Sequence, residues 1–358
     1  MKHLHRLLYP PGWPIAVKLS VALLCVAIAP MSFTAYYNLQ RSLQSLEAGE
    51  YRKLELLATS TASRLDQLIA DIQRFVVQVS SDRNVVGFLT ATPPAKRETL
   101  RQDLQQTLLN VFRSNPDFDA VYLMDKSGRC VASTDAKFVG QNYAFREYFR
   151  QAIGGRSYVS SILVGETSKR AGLFLSHPVR SPKGEIVGVT VLKIKGENIW
   201  AIANTLQLGS SSYAFLIDQH GVIISHRDRS LLYHSLNPLP PHTLNQVLTD
   251  RRYGQNQIKS LNIPQLKVMV MATEPGHTSY RSPPTQIPRI VGFAPLEVQP
   301  WVLGVSQPKT QFSAPLNRLI WQHGSSVIIV GSITAIIALL LARSISRPIR
   351  ALTAAAQA

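Results

Sequence analysis

The chain has 358 residues, with 38 Lys and Arg against 21 Asp and Glu, a formal charge of +17 and a pI near 10.1. An apolar fraction of 45% supports a packed core and excludes wholesale disorder. Charged residues make up only 16%, against about 25% in ordinary soluble domains, so long uncharged stretches must exist.

The first of them is 19–40, 22 residues without a charge, and the second is 319–342, with 24. Each exceeds the roughly 20 apolar residues that a helix needs to cross a bilayer. Trp13, Tyr36, Tyr37 and Trp321 sit near the ends, where amphipathic rings favour the interface. A cleaved signal peptide is the alternative for the first segment, because Ala27-Ile28-Ala29 has the small-x-small form of a cleavage site. Pro30 would directly follow that cut, and the apolar pattern continues through Tyr37, which favours an uncleaved span. A buried core helix is the alternative for the second segment; its length and the basic flank behind it favour a span.

Lys2, Arg6 and Lys18 precede the first span, Arg343, Arg347 and Arg350 follow the second, and neither end holds an acid. Both ends are therefore expected in the cytoplasm, as 1–16 and 344–358, with spans at 17–37 and 321–343. That makes a multi-pass protein of the cell (inner) membrane, in contact with its lipid. The segment 37–320 lies outside the cytoplasm and carries 32 basic and 21 acidic residues, a net +11. Charge placed there argues against nucleic acid as a partner.

From Tyr37 to Val79, apolar positions recur at Leu39, Leu43, Leu46, Leu54, Leu57, Thr61, Leu65, Leu68, Ile72, Phe75 and Val79. Steps of three and four predict one long amphipathic stalk helix over 38–82, packing on its own domain and, on another stretch, on its copy in a parallel homodimer. A short helix is expected at 96–112. The period then changes: DAVYLMDKSGRCVASTD alternates and turns at 125–128, a hairpin signal. Ninety-three residues later, YAFLIDQHGVIISHRD repeats it, matching Asp125 to Asp218, Gly128 to Gly221 and Asp135 to Asp228. More loosely, 176–179 resembles 293–296, and Gly188 resembles Gly304. The fold class expected is α+β, with two tandem copies of one small antiparallel sheet with flanking helices, at about 83–200 and 201–316. The Pro-rich stretch 274–288 reads as a long loop. The hairpin Asp and Gly residues serve their own turns.

No nucleophile elbow, P-loop, paired-carboxylate motif or metal-ligand spacing appears, so no enzyme is expected in this chain. Cys25 lies in the first span and Cys130 in the outer segment, and the two are not expected to pair. His220, His226 and His234 are scattered in a loop-rich region, and no metal or cofactor is expected.

A span, a stalk helix, two PAS-like units and a second span form a layout that resembles a double Cache sensor domain. The residues that carry the likeness are GQNYAFREYFRQAIGG at 140–155, SHPV at 176–179, GEIVGVTVLKI at 184–194 and YAFLIDQHGVIISH at 213–226. Among such domains the chain is most similar to sensors of C4-dicarboxylate-sensing histidine kinases, whose first unit has a similar N-Y-A-F-R-x-Y-F stretch. SRPIRALTAAAQA at 346–358 resembles the start of a HAMP linker and stops inside its first helix. The likeness implies a sensor of two-component or chemotactic signalling whose kinase, cyclase or chemoreceptor output lies outside this chain. The alternative is a truncated, output-less binding or dimerisation partner of a complete receptor.

The resemblance places Tyr143, Arg146 and Tyr148 at a pocket mouth over the membrane-distal sheet. A guanidinium matches a carboxylate with two parallel bonds, and phenols add neutral donors. Thr167 and Ser168 fall in GETS, where the dicarboxylate sensors have a similar hydroxyl-rich loop, and Ser176 follows on the next strand. Lys193 stands where amino-acid-sensing relatives commonly have Asp. A buried Lys beside Arg146 repels an ammonium and favours a second anionic group, so a small organic acid is the expected ligand and an amino acid the alternative. A strand puts Val189, Val191, Lys193 and Lys195 on one face, so that end could instead turn to solvent. Glu166 replaces a Thr of the family and could oppose an anion or bind an amine; Leu173 and Phe174 replace tyrosines. The second unit shows no comparable cluster in sequence and is expected to be structural and transmitting.

Overall fold

The computed structural model describes residues 15–92, 94–204, 211–283 and 285–355. Two compact units emerge, one from the chain ends up to Glu50 and from Thr310, the other spanning Tyr51–Lys309.

Helix α1, Ile15–Ser80, runs 66 residues without interruption, through Pro30. In the unit of the chain ends, its first part accompanies α8, Thr310–Ala355, and the Ser20 hydroxyl approaches the Ala338 carbonyl at 3.5 Å. Among the described residues, two helices contain stretches long and apolar enough to cross a membrane, within 20–80 and at Ile320–Leu341. Their apolar side chains are largely uncovered by protein: Val26, Phe33 and Ile328 are all exposed.

In the larger unit, α1 ends near the expected boundary, and Asp82 caps a short helix, α2, Arg83–Thr90, by accepting from the amides of Asn84 and Val85. Helix α3, Pro94–Ser114, covers the predicted 96–112 and begins on proline, which lacks the N–H that a first helical turn cannot use. The first repeat then follows: β1 Phe118–Asp125, β2 Cys130–Ser133, α4 Glu147–Ile153, β3 Tyr158–Val164, β4 Ala171–Arg180 and β5 Ile186–Lys195. Helix α5, Gly196–Asn204, leads to the second: β6 Tyr213–Ile217, β7 Ile223–His226, α6 Pro241–Thr249, α7 Lys267–Val270, β8 Gly276–Ser282, β9 Ile287–Pro295 and β10 Val302–Pro308.

The two sheets are antiparallel and share one strand order, β2-β1-β5-β4-β3 and β7-β6-β10-β9-β8. The internal repeat is real, with two corrections. Pro178 pairs with Val189 and Pro295 with Val302, so SHPV and FAPL do correspond. Gly188, however, lies opposite Asp125, whereas Gly304 lies opposite Phe215, the counterpart of Tyr122, and so corresponds to Val191. The likeness of the two glycines is a slip of three residues. The stretch 274–288 is also no long loop. It is strand β8, the turn and the start of β9, paired from Gly276 with Phe293 to Ser282 with Ile287. Only Tyr280 of β8 is buried and the strand stands at the end of the sheet order, an edge where Pro283 beside the turn costs no ladder bond.

The turn residues act as expected. Asp125 accepts from the amides of Ser127 and Arg129, Asp218 from those of His220 and Val222, and Asp135 and Asp228 each cap a 3-10 turn. Central strands are buried on both faces, which is why β1 reads as a nearly continuous apolar run. One face of the first sheet packs under α4, with Tyr122, Phe138, Tyr143, Tyr148, Phe149, Phe174 and Val191 in the core. The stalk touches both sheets, with the Phe75 ring 5.6 Å from Phe118 of β1 and Leu54 beside Gly292 of β9. Leu54, Ala58, Ala62, Leu65, Ile69, Ile72, Val76 and Val79 are its buried stripe. Ala58, Ala62, Ile69 and Val76 were absent from the predicted stripe, while Leu46 of that stripe is exposed. At Gly292 a Cβ would sit 2.4 Å from the backbone of Leu54 and Glu55, so the helix lies directly on β9.

Candidate functional site

The stretch 140–146 is held against the first hairpin. The Tyr143 amide donates to the Gly128 carbonyl at 2.9 Å, and Gly128 has φ +83 with Ala144 where its Cβ would be. Only glycine satisfies both conditions. This fixes Tyr143 and presents Arg146 at the start of α4. Opposite lies the loop 165–170 between β3 and β4. It closes on itself through the Gly165 amide to the Arg170 carbonyl, 3.0 Å, and the Lys169 amide to the Gly165 carbonyl, 2.9 Å.

Of the seven predicted residues, Tyr143, Arg146, Thr167, Ser168 and Lys193 meet at this loop, while Tyr148 and Ser176 bond each other apart from it. The Tyr143 and Thr167 hydroxyls are 2.6 Å apart. Lys193 Nζ donates to Ser168 Oγ at 2.6 Å. The Ser176 hydroxyl donates to the Tyr148 carbonyl at 2.7 Å, and the Tyr148 phenol bonds Tyr122, 3.0 Å away. Phe174 separates the pairs: its ring stacks on Tyr148 at 5.2 Å and lies 5.5 Å from Lys193 Nζ. Arg146 is buried and turns to backbone carbonyls. Nη2 donates to Val164 at 3.2 Å, and Nη1 donates to Asp250 at 3.1 Å and to Arg251 at 3.5 Å. A carboxylate oxygen of Glu166 stands 3.9 Å away.

Lys193 is fully buried, so the alternative in which the end of β5 turns to solvent applies only to Lys195, whose Nζ reaches the Pro116 carbonyl. Burial holds the Lys193 ammonium below its ordinary pKa, opposed by a partner that sequence reasoning missed. Asp119 places Oδ2 2.5 Å from Lys193 Nζ, while its Oδ1 takes Arg170 Nη2 at 2.6 Å. The signal for Asp119 was an acid inside an apolar strand. Its partner follows only from the β1–β5 register, which is irregular between Phe118 and Ala120. Burial raises the phenols of Tyr143 and Tyr148 above their ordinary range, so both stay neutral.

Arg146 and Tyr148 also line a cavity of about 310 Å³ with Glu147, Tyr158, Ser160, Ser161, Asp250 and Arg252. Arg252, buried, bonds Asp250 at 3.2 Å and faces Glu147 at 3.7 Å. Val164 donates its amide to the Arg252 carbonyl at 2.8 Å, so 250–252 extends the edge of β3.

The second repeat does contain a buried polar cluster, contrary to expectation. Arg289 donates from Nε to Ser306 Oγ, 2.9 Å, and from Nη2 to the Ser211 carbonyl, 2.7 Å, while its guanidinium lies 4.3 Å from the Tyr213 ring centroid. Tyr280 bonds both Tyr213 and Ser306 at 2.9 Å. By strand register, Ser306 occupies the place that Lys193 holds in the first repeat. Arg289 stands one residue past the stretch 274–288 that was read as a loop, in strand β9.

The Cache domain family matches residues 42–316. The chain belongs to that family. It is 23% identical over 329 residues to the C4-dicarboxylate transport sensor protein DctB of Pseudomonas aeruginosa, covering 90% of this chain and 46% of that protein. It is 26% identical over 229 residues to the methyl-accepting chemotaxis protein McpG of Pseudomonas putida, covering 63% and 33%. The chain thus spans less than half the length of the curated relatives it matches. The Vibrio cholerae histidine kinase DctB sensor domain superposes with a TM-score of 0.59 at 25% identity, over 73% of this chain and 99% of that one. The Tyr51–Lys309 unit is therefore a Cache sensor domain, a module of receptors rather than a catalytic one.

Proposed function

We propose that the chain is a transmembrane signalling sensor that binds a small organic acid outside the cytoplasm, in the first, membrane-distal Cache repeat. The observation that carries this reading is the convergence of Arg146, Tyr143 with Thr167, and Lys193 with Ser168 around the single loop 165–170. The Arg146 guanidinium and the neutral hydroxyls of Tyr143 and Thr167 suit a carboxylate, with the paired Lys193 beside them. The names of the DctB relatives support an acid as the ligand class.

The spans at 17–37 and 321–343 anchor the domain, and their exposed apolar side chains suit a lipid environment. The chain acts as a parallel homodimer joined along the stalk. Transmission starts at Arg146. A carboxylate on its guanidinium competes with the Asp250 and Arg251 carbonyls, which belong to the second repeat. Ligand therefore favours one arrangement of the two repeats, and the change passes through the second span to the HAMP start at 344–358.

The test is thermal unfolding of the full chain in detergent against a panel of small organic acids and amino acids. A ligand-dependent rise in Tm that Arg146→Ala abolishes is expected. A flat response across the panel, or a rise that Arg146→Ala leaves intact, refutes the reading.

A further inference from the structure

Lys193 has three ammonium protons, and each has a partner within the protein: Asp119 Oδ2 at 2.5 Å, Ser168 Oγ at 2.6 Å and the Arg170 carbonyl at 3.3 Å. Asp119 is just as fully engaged, its second oxygen held by Arg170 at 2.6 Å. The protein's own carboxylate thus occupies the seat on Lys193 that a ligand carboxylate would otherwise take. Around the loop 165–170 three charges are buried, those of Arg146, Lys193 and Asp119, and they sum to a single positive charge; the buried Arg252 nearby is matched by Asp250 at 3.2 Å. Glu166, Arg170 and Lys169 are considerably exposed, so water screens them.

We infer that Asp119 is a specificity residue of the distal site, cancelling Lys193 so that the site takes a carboxylic acid of one negative charge and discriminates against C4-dicarboxylates. This rests on the reading of the cluster as the ligand site. The physical reason is the cost of leaving a buried charge without its counter-ion. A dicarboxylate must either displace Asp119 from Lys193, leaving that buried carboxylate only the solvent-exposed Arg170 as counter-ion, or bring its second charge beside Asp119. A monocarboxylate needs only Arg146 and the neutral Tyr143–Thr167 pair. Amide replacement of Asp119 removes the competitor and leaves Lys193 with a proton to offer.

The experiment is calorimetric titration of the full chain in detergent, near neutral pH, with butyrate, succinate and 4-aminobutyrate. Wild type should bind butyrate more tightly than succinate. Asp119→Asn should move the ratio of the two affinities toward succinate by about tenfold or more. An unchanged ratio, or an Asp119→Asn protein that binds neither acid, overturns the proposal. So does a wild type that prefers succinate, or one that prefers 4-aminobutyrate, which would mean that Asp119 takes an ammonium. If the single variant does not fold, Lys193→Gln, which leaves Asp119 uncancelled by the lysine, should move the ratio further toward butyrate; a ratio that stays at the wild-type value or moves toward succinate refutes the cancellation. A panel response that Arg146→Ala abolishes, combined with an unchanged butyrate-to-succinate ratio in Asp119→Asn, sinks this inference alone; a response that survives Arg146→Ala sinks the sensor site itself.

Discussion

Arg146 Nη1 donates to the carbonyl oxygen of Asp250 at 3.1 Å, a bond between residues 104 positions apart that ties the first Cache repeat to the second. The same guanidinium holds Val164 and Arg251. Such a fork is specific to arginine, because a lysine ammonium is a compact point charge.

Arg146→Lys should therefore keep the charge and lose the bridge. The expected cost is about 1–3 kcal/mol in urea unfolding, with the ligand-induced rise in Tm abolished. A variant with wild-type stability would mean that the three carbonyls are satisfied without Arg146.

In the second repeat, Arg289→Met should destabilise the domain by about 2 kcal/mol, because the Ser211 and Ser306 carbonyls lose a buried donor. Ligand binding in the first repeat should be unchanged. Chemical denaturation and titration of the same sample separate the two effects.

Gly292→Ala tests the contact of the stalk with β9. An added methyl meets backbone rather than a movable side chain, so a loss of about 1–3 kcal/mol is expected. Gly87→Ala, with nothing within 4 Å, is the matched control and should be neutral or slightly stabilising.

Alkaline pH should unfold the domain. Burial pushes the Cys130 thiol and the phenols of Tyr158 and Tyr233 up to about 12, with the Glu147 carboxylate adding to the shift at Tyr158. A raised pKa in the folded state means that the fold favours the protonated form. The stability so gained is complete below the unfolded values of about 9–10 and is lost as pH rises toward 12. Tm should fall across that window, and Tyr158→Phe should flatten part of the fall. A Tm independent of pH there would contradict the buried, protonated state. Cys130 should likewise resist alkylation near neutral pH until the domain unfolds.

The repeats were legible because hairpin turns leave local marks: an Asp that caps its own backbone and a Gly at positive φ recur 93 residues apart. The stalk was legible by its period, yet its buried centre is partly alanine, since the helix lies too close to the sheets for larger side chains there. Strand β8 was missed because an edge strand bounded by prolines lacks an apolar run. The site was legible as a set of positions and not as a set of partnerships. Which acid neutralises Lys193, and which carbonyls hold Arg146, depend on strand register and on the approach of residues 250–252, and no local pattern encodes either.

The identical strand order of the two sheets makes the chain a pair of interchangeable parts on one spine. β5 and β10 occupy the same station, one bringing a lysine to it and the other a serine. Each copy is thus a reference for its twin: drift in the chemistry of one repeat need not endanger the frame, because the other keeps its own independent grip on the stalk. Duplication of this kind lets a receptor change what it tastes while remaining the same machine.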